Sequence, residues 1–278
     1  MNKKYQIVIF GATGFTGELC VKYMSEKYPD VSIAIAGRNK EKLEMVRSRH
    51  GLSCPIVVAD AFDVEALDKM CQDAEVILST AGPYHKYGSD LVRSCVNAGC
   101  HYVDITGESF WIRDQIEKHH KDAEAKGVRI INACGFDSAP SDLGVFYAVN
   151  KVVGEVESVH CFQAWKGESS GGTMETMFSS VDAKLTKGGL GKFSLNPENT
   201  VSVHQKKMTN DKIKIKKIPH IGGWTGPFIM ALPNTRVVRR SAALSKKIGK
   251  YYGENFVYSE GAYYSNKGAA RKVSIMTL

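Results

Sequence analysis

The chain has 278 residues, a length that allows one large domain or two domains of ordinary size. With 43% hydrophobic and 24% charged residues it has a globular composition, which excludes a disordered or collagen-like protein. Its seven cysteines, an odd number without a Cys-x-x-Cys pair, favour a reducing compartment over a disulfide framework or a structural zinc site, and we expect no metal.

The N-terminal segment shows no targeting signal. Residues 1–4 lead directly into an apolar run, without the basic and apolar regions that form a signal peptide. No stretch approaches the ~20 apolar residues that span a bilayer. We therefore expect a soluble, intracellular protein that is not secreted.

The net charge of +8 is unevenly distributed along the chain. Residues 1–150 carry 17 Lys and Arg against 20 Asp and Glu, whereas residues 151–278 carry 20 against 9. The basic stretch at 206–250 could contact an anionic lipid surface, or it could simply form a solvated face. Nucleic-acid binding is disfavoured, because this stretch lacks interleaved aromatic residues and no known binding module is present.

The first half alternates between short apolar runs and helical segments. This alternation predicts an α/β fold with a doubly wound, parallel sheet of the Rossmann type over residues 1–150. The strands are expected at 5–10, 31–36, 56–59, 74–79, 101–105 and 128–133, and the helices at 16–27, 40–50, 64–71, 89–98 and 110–126.

The pattern changes after about residue 155, which predicts a separate, smaller α+β domain over residues 151–278. A strand is expected at 157–164, and period-two alternation predicts two half-exposed strands at 200–204 and 212–216. Helices are expected at 173–187, after a glycine-rich turn, and at 236–251.

A glycine-rich turn joins the first strand to the first helix. Gly11, Gly14 and Gly17 allow a sharp turn, a close approach of backbone to a pyrophosphate, and close packing of helix on strand. Backbone amides at the helix N-terminus would then hold the phosphates. The sequence therefore predicts a dinucleotide site, and the alternative is a purely structural turn. The loop residues assigned to the cofactor are Gly11, Thr13, Gly14, Phe15, Thr16 and Gly17.

The end of the second strand indicates which dinucleotide binds. An acidic residue usually stands there in NAD-binding proteins, but this chain has Arg38 and Asn39. A guanidinium can bind a 2′-phosphate through two hydrogen bonds, so NADP(H) is favoured over NAD(H), unless Arg38 is only a surface residue. Asp60, after the third strand, is expected near the adenine. Gly82 and Pro83, after the fourth, are expected along the cofactor.

Five segments together resemble the saccharopine dehydrogenase-like oxidoreductases, in the branch that contains the trans-acting enoyl reductases. They are residues 11–17, 36–39, 79–84, 102–108 and 135–144, and residues 170–173, 227–231 and 234–241 extend the resemblance over nearly the whole chain. It implies an N-terminal NAD(P)-binding domain and a C-terminal α+β domain that supplies substrate and homodimer contacts. It also implies a lipid-related role, with animal relatives on lipid droplets and membranes and bacterial ones in lipid and glycolipid synthesis. Family members usually continue beyond residue 278, so this chain resembles a form with an incomplete second domain.

A reductase also needs a proton source near the carboxyl ends of the strands. Tyr84 and His85 follow the fourth strand, Glu108 follows the fifth, and Asp137 and Ser138 follow the sixth. Tyr84 and Asp137 are the leading candidates for the proton donor. The alternative for Asp137 and Ser138 is a structural role in capping the helix that begins near Pro140.

A Tyr-x-x-x-Lys pair, the arrangement used by short-chain reductases, gives a further candidate. Tyr147 and Lys151 are spaced so that they share one helix face after the sixth strand. The pair lacks the usual upstream serine, and similar spacings elsewhere in the chain are expected by chance.

These observations favour an NADPH-dependent oxidoreductase that reduces an enoyl, carbonyl or imine group of a lipid-like or small-molecule substrate. The alternative is a nucleotide-binding protein without turnover that associates with a lipid droplet or membrane surface through its basic second domain.

Overall fold

The computed structural model describes residues 3–164, 191–211, 214–245, 249 and 252–276. These residues form two compact units, one that ends at Gly135 and a second that begins at Phe136. The domain ranges predicted from the sequence, 1–150 and 151–278, divide the chain slightly later, so the helix over residues 139–149 lies in the second unit.

The first unit contains the predicted doubly wound sheet of six parallel strands. Its order is β3-β2-β1-β4-β5-β6. The strands β1 and β4 are therefore adjacent at the centre, with β2 and β3 on one side and β5 and β6 on the other. The strands are β1 Tyr5–Phe10, β2 Ile33–Gly37, β3 Ile56–Val58, β4 Ala74–Ser79, β5 His101–Asp104 and β6 Ile130–Ile131. The order reverses between β1 and β4, which is where such sheets bind ligands.

Six helices connect these strands. They are α1 Phe15–Lys27, α2 Lys40–Arg49, α3 Val64–Asp73, α4 Tyr84–Tyr87, α5 Ser89–Ala98 and α6 Ser109–Ala125. Val21 of α1 and Leu43 of α2 pack with Ile9 and Ile35 in a buried cluster on the sheet, and this apolar burial stabilises the first half of the unit. The short helix α4 was not expected from the sequence.

The second unit is the smaller α+β unit expected from the sequence. Its sheet has the order β7-β10-β9-β8, with β7 and β10 parallel and the other pairs antiparallel. The elements are α7 Ala139–Val149, β7 Ser158–Gln163, α8 Val203–Met208, β8 Lys216–Lys217, β9 Trp224–Gly226, α9 Ala231–Ser245, β10 Val257–Tyr264 and α10 Lys267–Met276. Val145, Val238, Phe256 and Tyr258 form its core.

Several expectations for the second unit were wrong. The expected strand at 200–204 is instead a loop that leads into α8, because Ser202 and Gln205 form a capping box with bonds of 3.1 and 2.9 Å. The central strand β10 was missed, and the expected helix at 236–251 starts five residues earlier, at Ala231. The helix predicted at 173–187 lies outside the described residues. Of the strand expected at 212–216, residues 212 and 213 also lie outside them, and among the other three only Lys216 belongs to a strand, β8.

Candidate functional site

The turn between β1 and α1 has a backbone that only glycine adopts easily. Gly11 has a φ of +84°, in the left-handed region, and its N–H donates to Ala36 O at 3.0 Å. A Cβ atom on Gly17 would overlap the carbonyl oxygen of Gly11, so a larger residue would push α1 off the turn. Thr80, just after β4, fixes the turn from the other side by donating to Gly11 O at 3.2 Å.

The N-terminus of α1 offers free backbone donors. The first N–H groups of any helix lack a partner within that helix. At α2 and α3 the side chains of Asn39 and Asp63 accept one of these donors, but Gly14 at the start of α1 supplies no such cap. Thr13, Gly14 and Phe15 are exposed, and Thr16 is half-buried. This uncapped, open turn has the free N–H groups that a pyrophosphate requires.

The residues after β2 and β3 fit the adenosine end of a cofactor. Arg38 is exposed, and among the described residues its guanidinium has no hydrogen-bond or ion-pair partner. It is therefore free to bind a 2′-phosphate. Asn39 Oδ1 accepts from Lys42 N at 2.8 Å, so its side chain also caps α2. Asp60 is half-buried and accepts from Phe62 N at 2.9 Å, which shapes the turn after β3.

The segment after β4 places Tyr84 in the protein interior. Gly82 is exposed, Pro83 is buried, and the peptide bond between them is cis. The Tyr84 hydroxyl donates to Ser79 O at 3.0 Å, and its ring packs against Trp111. Burial, with a smaller effect from the nearby Asp104 carboxylate, raises the Tyr84 pKa. This phenol holds its proton firmly and uses it in a structural hydrogen bond.

A buried carboxylate lies beside Tyr84. The side chain of Glu108, at the start of α6, is 0% exposed. Its Oε1 accepts from Tyr84 N at 2.7 Å, and its Oε2 accepts from His85 N at 2.9 Å. The same Oε2 lies 2.6 Å from Nδ1 of the His85 ring. Glu108 therefore joins the end of β5 to the start of α4 and positions the His85 imidazole.

A second buried carboxylate, Asp104, ends β5. Its Oδ1 accepts from Thr106 N and from Ala133 N, each at 3.0 Å, and its Oδ2 accepts from Asn132 Nδ2 at 2.7 Å. Burial raises the Asp104 pKa to about 6, against the opposing effect of these hydrogen bonds. All three partners lie just after β5 or β6, so Asp104 links the loops that follow these two strands.

The remaining predicted catalytic residues belong to the second unit. Asp137 is an exposed residue of this unit, although its carboxyl group is partly buried. This partial burial raises the pKa of the Asp137 carboxyl. Ser138 does not cap α7 with its side chain but donates to Asn234 Oδ1 at 2.7 Å. Tyr147 is 66% exposed, and the Lys151 ammonium lies 5.4 Å from the centre of its ring. The lysine therefore contacts the face of the ring.

The basic stretch of the second unit is partly internal. Arg236 and Arg239 are buried and both bind the Asp211 carboxylate, at 2.7 Å each. Both guanidinium groups are thus held inside the unit, where they share one carboxylate. The exposed cations of the described part of 206–250 are Lys206, Lys207, Lys214, Lys216 and Lys217. This burial could not be read from the sequence, because the twelve Lys and Arg of 206–250 are alike in composition.

The first unit thus has the features of a dinucleotide-binding oxidoreductase domain, and its sequence is similar to known proteins of this class. A model of the saccharopine dehydrogenase NADP-binding domain matches residues 7–131. A Mycobacterium tuberculosis protein named "Putative trans-acting enoyl reductase" is 36% identical over 99% of this chain and 68% of its own length. The trans-acting enoyl reductase of Mycobacterium leprae is 36% identical over 93% of this chain and 65% of its own.

The chain belongs to the saccharopine dehydrogenase-like oxidoreductases, in the branch of the trans-acting enoyl reductases. It is an NADPH-dependent oxidoreductase, and it spans about two thirds of the length of these curated relatives. The apo saccharopine dehydrogenase of Saccharomyces cerevisiae is similar with a TM-score of 0.46 at 18% identity, over 53% of this chain and 31% of that one. No described helix is long and apolar enough to cross a membrane.

Proposed function

We propose that this protein uses NADPH to reduce an enoyl group, a carbon–carbon double bond conjugated to a carbonyl, in a lipid-like substrate. The observation that carries this proposal is the 36% identity to relatives named enoyl reductases, which extends over 93–99% of the chain. Carbonyl and imine groups are the other electrophiles that a hydride can reduce, and they remain alternatives.

The cofactor would be held by groups that the structure leaves free. The open N-terminus of α1 would receive the pyrophosphate, and Arg38 the 2′-phosphate. Asp60 would lie near the adenine, and Gly82 and Pro83 would lie alongside the extended cofactor. When bound, NADPH supplies the hydride. The protein must then exclude water, orient the double bond and provide one proton.

The test is a binding titration followed by an assay of NADPH oxidation. Tryptophan fluorescence or calorimetry would give the affinity for NADPH and for NADH, and NADPH should bind more tightly. The assay then compares a trans-2-enoyl thioester with a ketone and a cyclic imine of similar size. Faster oxidation with the enoyl thioester supports the proposal, while turnover of the ketone or imine alone would replace it.

A second candidate is binding to an anionic lipid surface without turnover. The exposed lysines on α8 and β8 favour it, although the buried Arg236 and Arg239 leave less free charge than the sequence implied. Vesicles of phosphatidylglycerol and phosphatidylcholine would test it by sedimentation. Electrostatic binding should decline steeply with salt and should be lost on Lys216→Glu with Lys217→Glu. A homodimer, also predicted, would be measured by light scattering.

A further inference from the structure

The order of the strands in the sheet determines which residues would lie beside each half of a bound dinucleotide. The glycine turn after β1 marks the position of the pyrophosphate, and Arg38 after β2 marks the adenosine half. A dinucleotide crosses the switch point, so its other half extends over the ends of β4 and β5. The residues that follow these two strands therefore face the reactive ring of the cofactor.

His85 and Glu108 are the polar pair at this place. The Glu108 carboxylate is completely buried and already accepts two backbone N–H groups, at 2.7 and 2.9 Å. A carboxylate can only accept, so the hydrogen that bridges Oε2 and Nδ1 over 2.6 Å belongs to the imidazole. With Nδ1 engaged, the nitrogen left for exchange with a ligand is Nε2.

The ring is also fixed by packing without being sealed off. It lies against Phe110, with ring centres 5.6 Å apart, and the His85 side chain is 18% exposed. A carboxylate that orients one imidazole nitrogen so that the other can transfer a proton is a recurrent arrangement in acid–base catalysis. The neighbouring phenol of Tyr84, by contrast, donates to Ser79 O.

We propose that His85 delivers the proton of the reduction from Nε2, and that Glu108 is the positioning residue that holds the ring. This inference rests on the proposed function. Hydride from NADPH adds to the β-carbon of the enoyl group, and the electron pair of the double bond moves onto the α-carbon and carbonyl. Protonated His85 then gives its Nε2 proton to the α-carbon and becomes neutral. Solvent reprotonates it before the next cycle.

A footprinting experiment tests the placement of His85 without any substrate. Diethyl pyrocarbonate acylates accessible imidazoles, and peptide mass spectrometry reports which histidines react. NADP+ should protect His85, whereas adenosine 2′,5′-bisphosphate, which has only the adenosine half, should not. His120, exposed on α6, is the matched control and should react equally under all conditions. Equal reaction of His85 with and without NADP+, or equal protection by both ligands, would overturn the proposal.

Kinetics with a trans-2-enoyl thioester of N-acetylcysteamine tests the chemical role. His85→Ala should lower kcat by about 10²- to 10⁴-fold, leave the NADPH dissociation constant unchanged, and regain activity with added imidazole. His120→Ala should keep the activity. A large loss in Tyr84→Phe together with normal turnover in His85→Ala would overturn the proposal in favour of Tyr84.

The variant Glu108→Gln tests whether Glu108 positions the His85 ring. The variant should lower kcat and also lose the selective protection of His85, because the ring is no longer fixed. If it fails to fold, the footprint of the wild-type chain and the imidazole rescue of His85→Ala still decide the matter. Selective protection of His85 without turnover of any enoyl, ketone or imine probe would support its placement and refute the proposed reduction instead.

Discussion

Replacing Arg38 by glutamine should weaken NADPH binding and leave NADH binding nearly unchanged. The Arg38 guanidinium is exposed directly after β2 and has no hydrogen-bond or ion-pair partner among the described residues. It therefore loses no internal bond when it binds a 2′-phosphate. A hydrogen bond to a charged group contributes about 1.5–3 kcal/mol, which corresponds to roughly 10- to 150-fold in the dissociation constant.

The assay is a calorimetric or fluorescence titration of both variants with both cofactors. Lys42→Gln is the matched control, because it removes one positive charge from the exposed side of α2 and lies only four residues away. It should change NADPH binding by less than about twofold, since an exposed charge at a distance is screened by salt. Equal weakening of NADPH and NADH in Arg38→Gln, or no weakening of NADPH, would refute the assignment of Arg38.

Four further outcomes are expected. Gly17→Ala should lower both thermal stability and NADPH affinity, because the added Cβ would overlap Gly11 O. Unchanged NADPH affinity would contradict this, since it would show that the turn tolerates a shift of α1. Asp104→Ala should cost about 1–3 kcal/mol in urea unfolding, because Thr106 N, Ala133 N and Asn132 Nδ2 would lose their common acceptor. Asp104→Asn should cost less, because its amide oxygen keeps the two backbone bonds and the Asn132 amide can turn its oxygen toward the new N–H group. Burial raises the Asp104 pKa from 3.8 to about 6, so its contribution to stability is present below pH 4 and lost as pH rises through 6. The unfolding free energy of the wild type should accordingly fall by about 3 kcal/mol relative to Asp104→Asn over that interval, and parallel profiles would contradict this. Ser202→Ala should cost about 1 kcal/mol through loss of the α8 cap, while Ser202→Thr should cost much less.

The fold of the first unit could be predicted because its signals are local. Each strand is a short apolar run, and some helices begin at a capping side chain that the sequence displays, as with Asn39 before α2 and Asp63 before α3. The glycine turn has its own spacing and needs no distant partner to be recognised. The cofactor loop was therefore accessible from residues 5–40 alone.

The second unit was harder to predict because its signals depend on distant partners. Alternation over 200–204 suggested a strand, but the capping box of Ser202 and Gln205 starts a helix there. The buried carboxylate of Glu260, in the missed strand β10, accepts from Asn234 and Tyr258, each at 2.9 Å. A charged residue inside a strand argues against burial unless such partners are known.

The Glu108 site shows the same limit within the well-predicted unit. Glu108 was recognised as a polar residue after β5, but its three donors come from residues 23 and 24 positions earlier, and two of them are backbone N–H groups. Backbone donors leave no mark in a sequence, so neither the burial nor the orientation of His85 could be foreseen. The same fact makes the site testable. Truncating the side chain of His85 removes the imidazole but leaves both backbone N–H groups on Glu108, so the carboxylate stays satisfied and the fold is retained. A loss of activity in His85→Ala can therefore be assigned to the missing ring, which is what rescue by free imidazole would demonstrate.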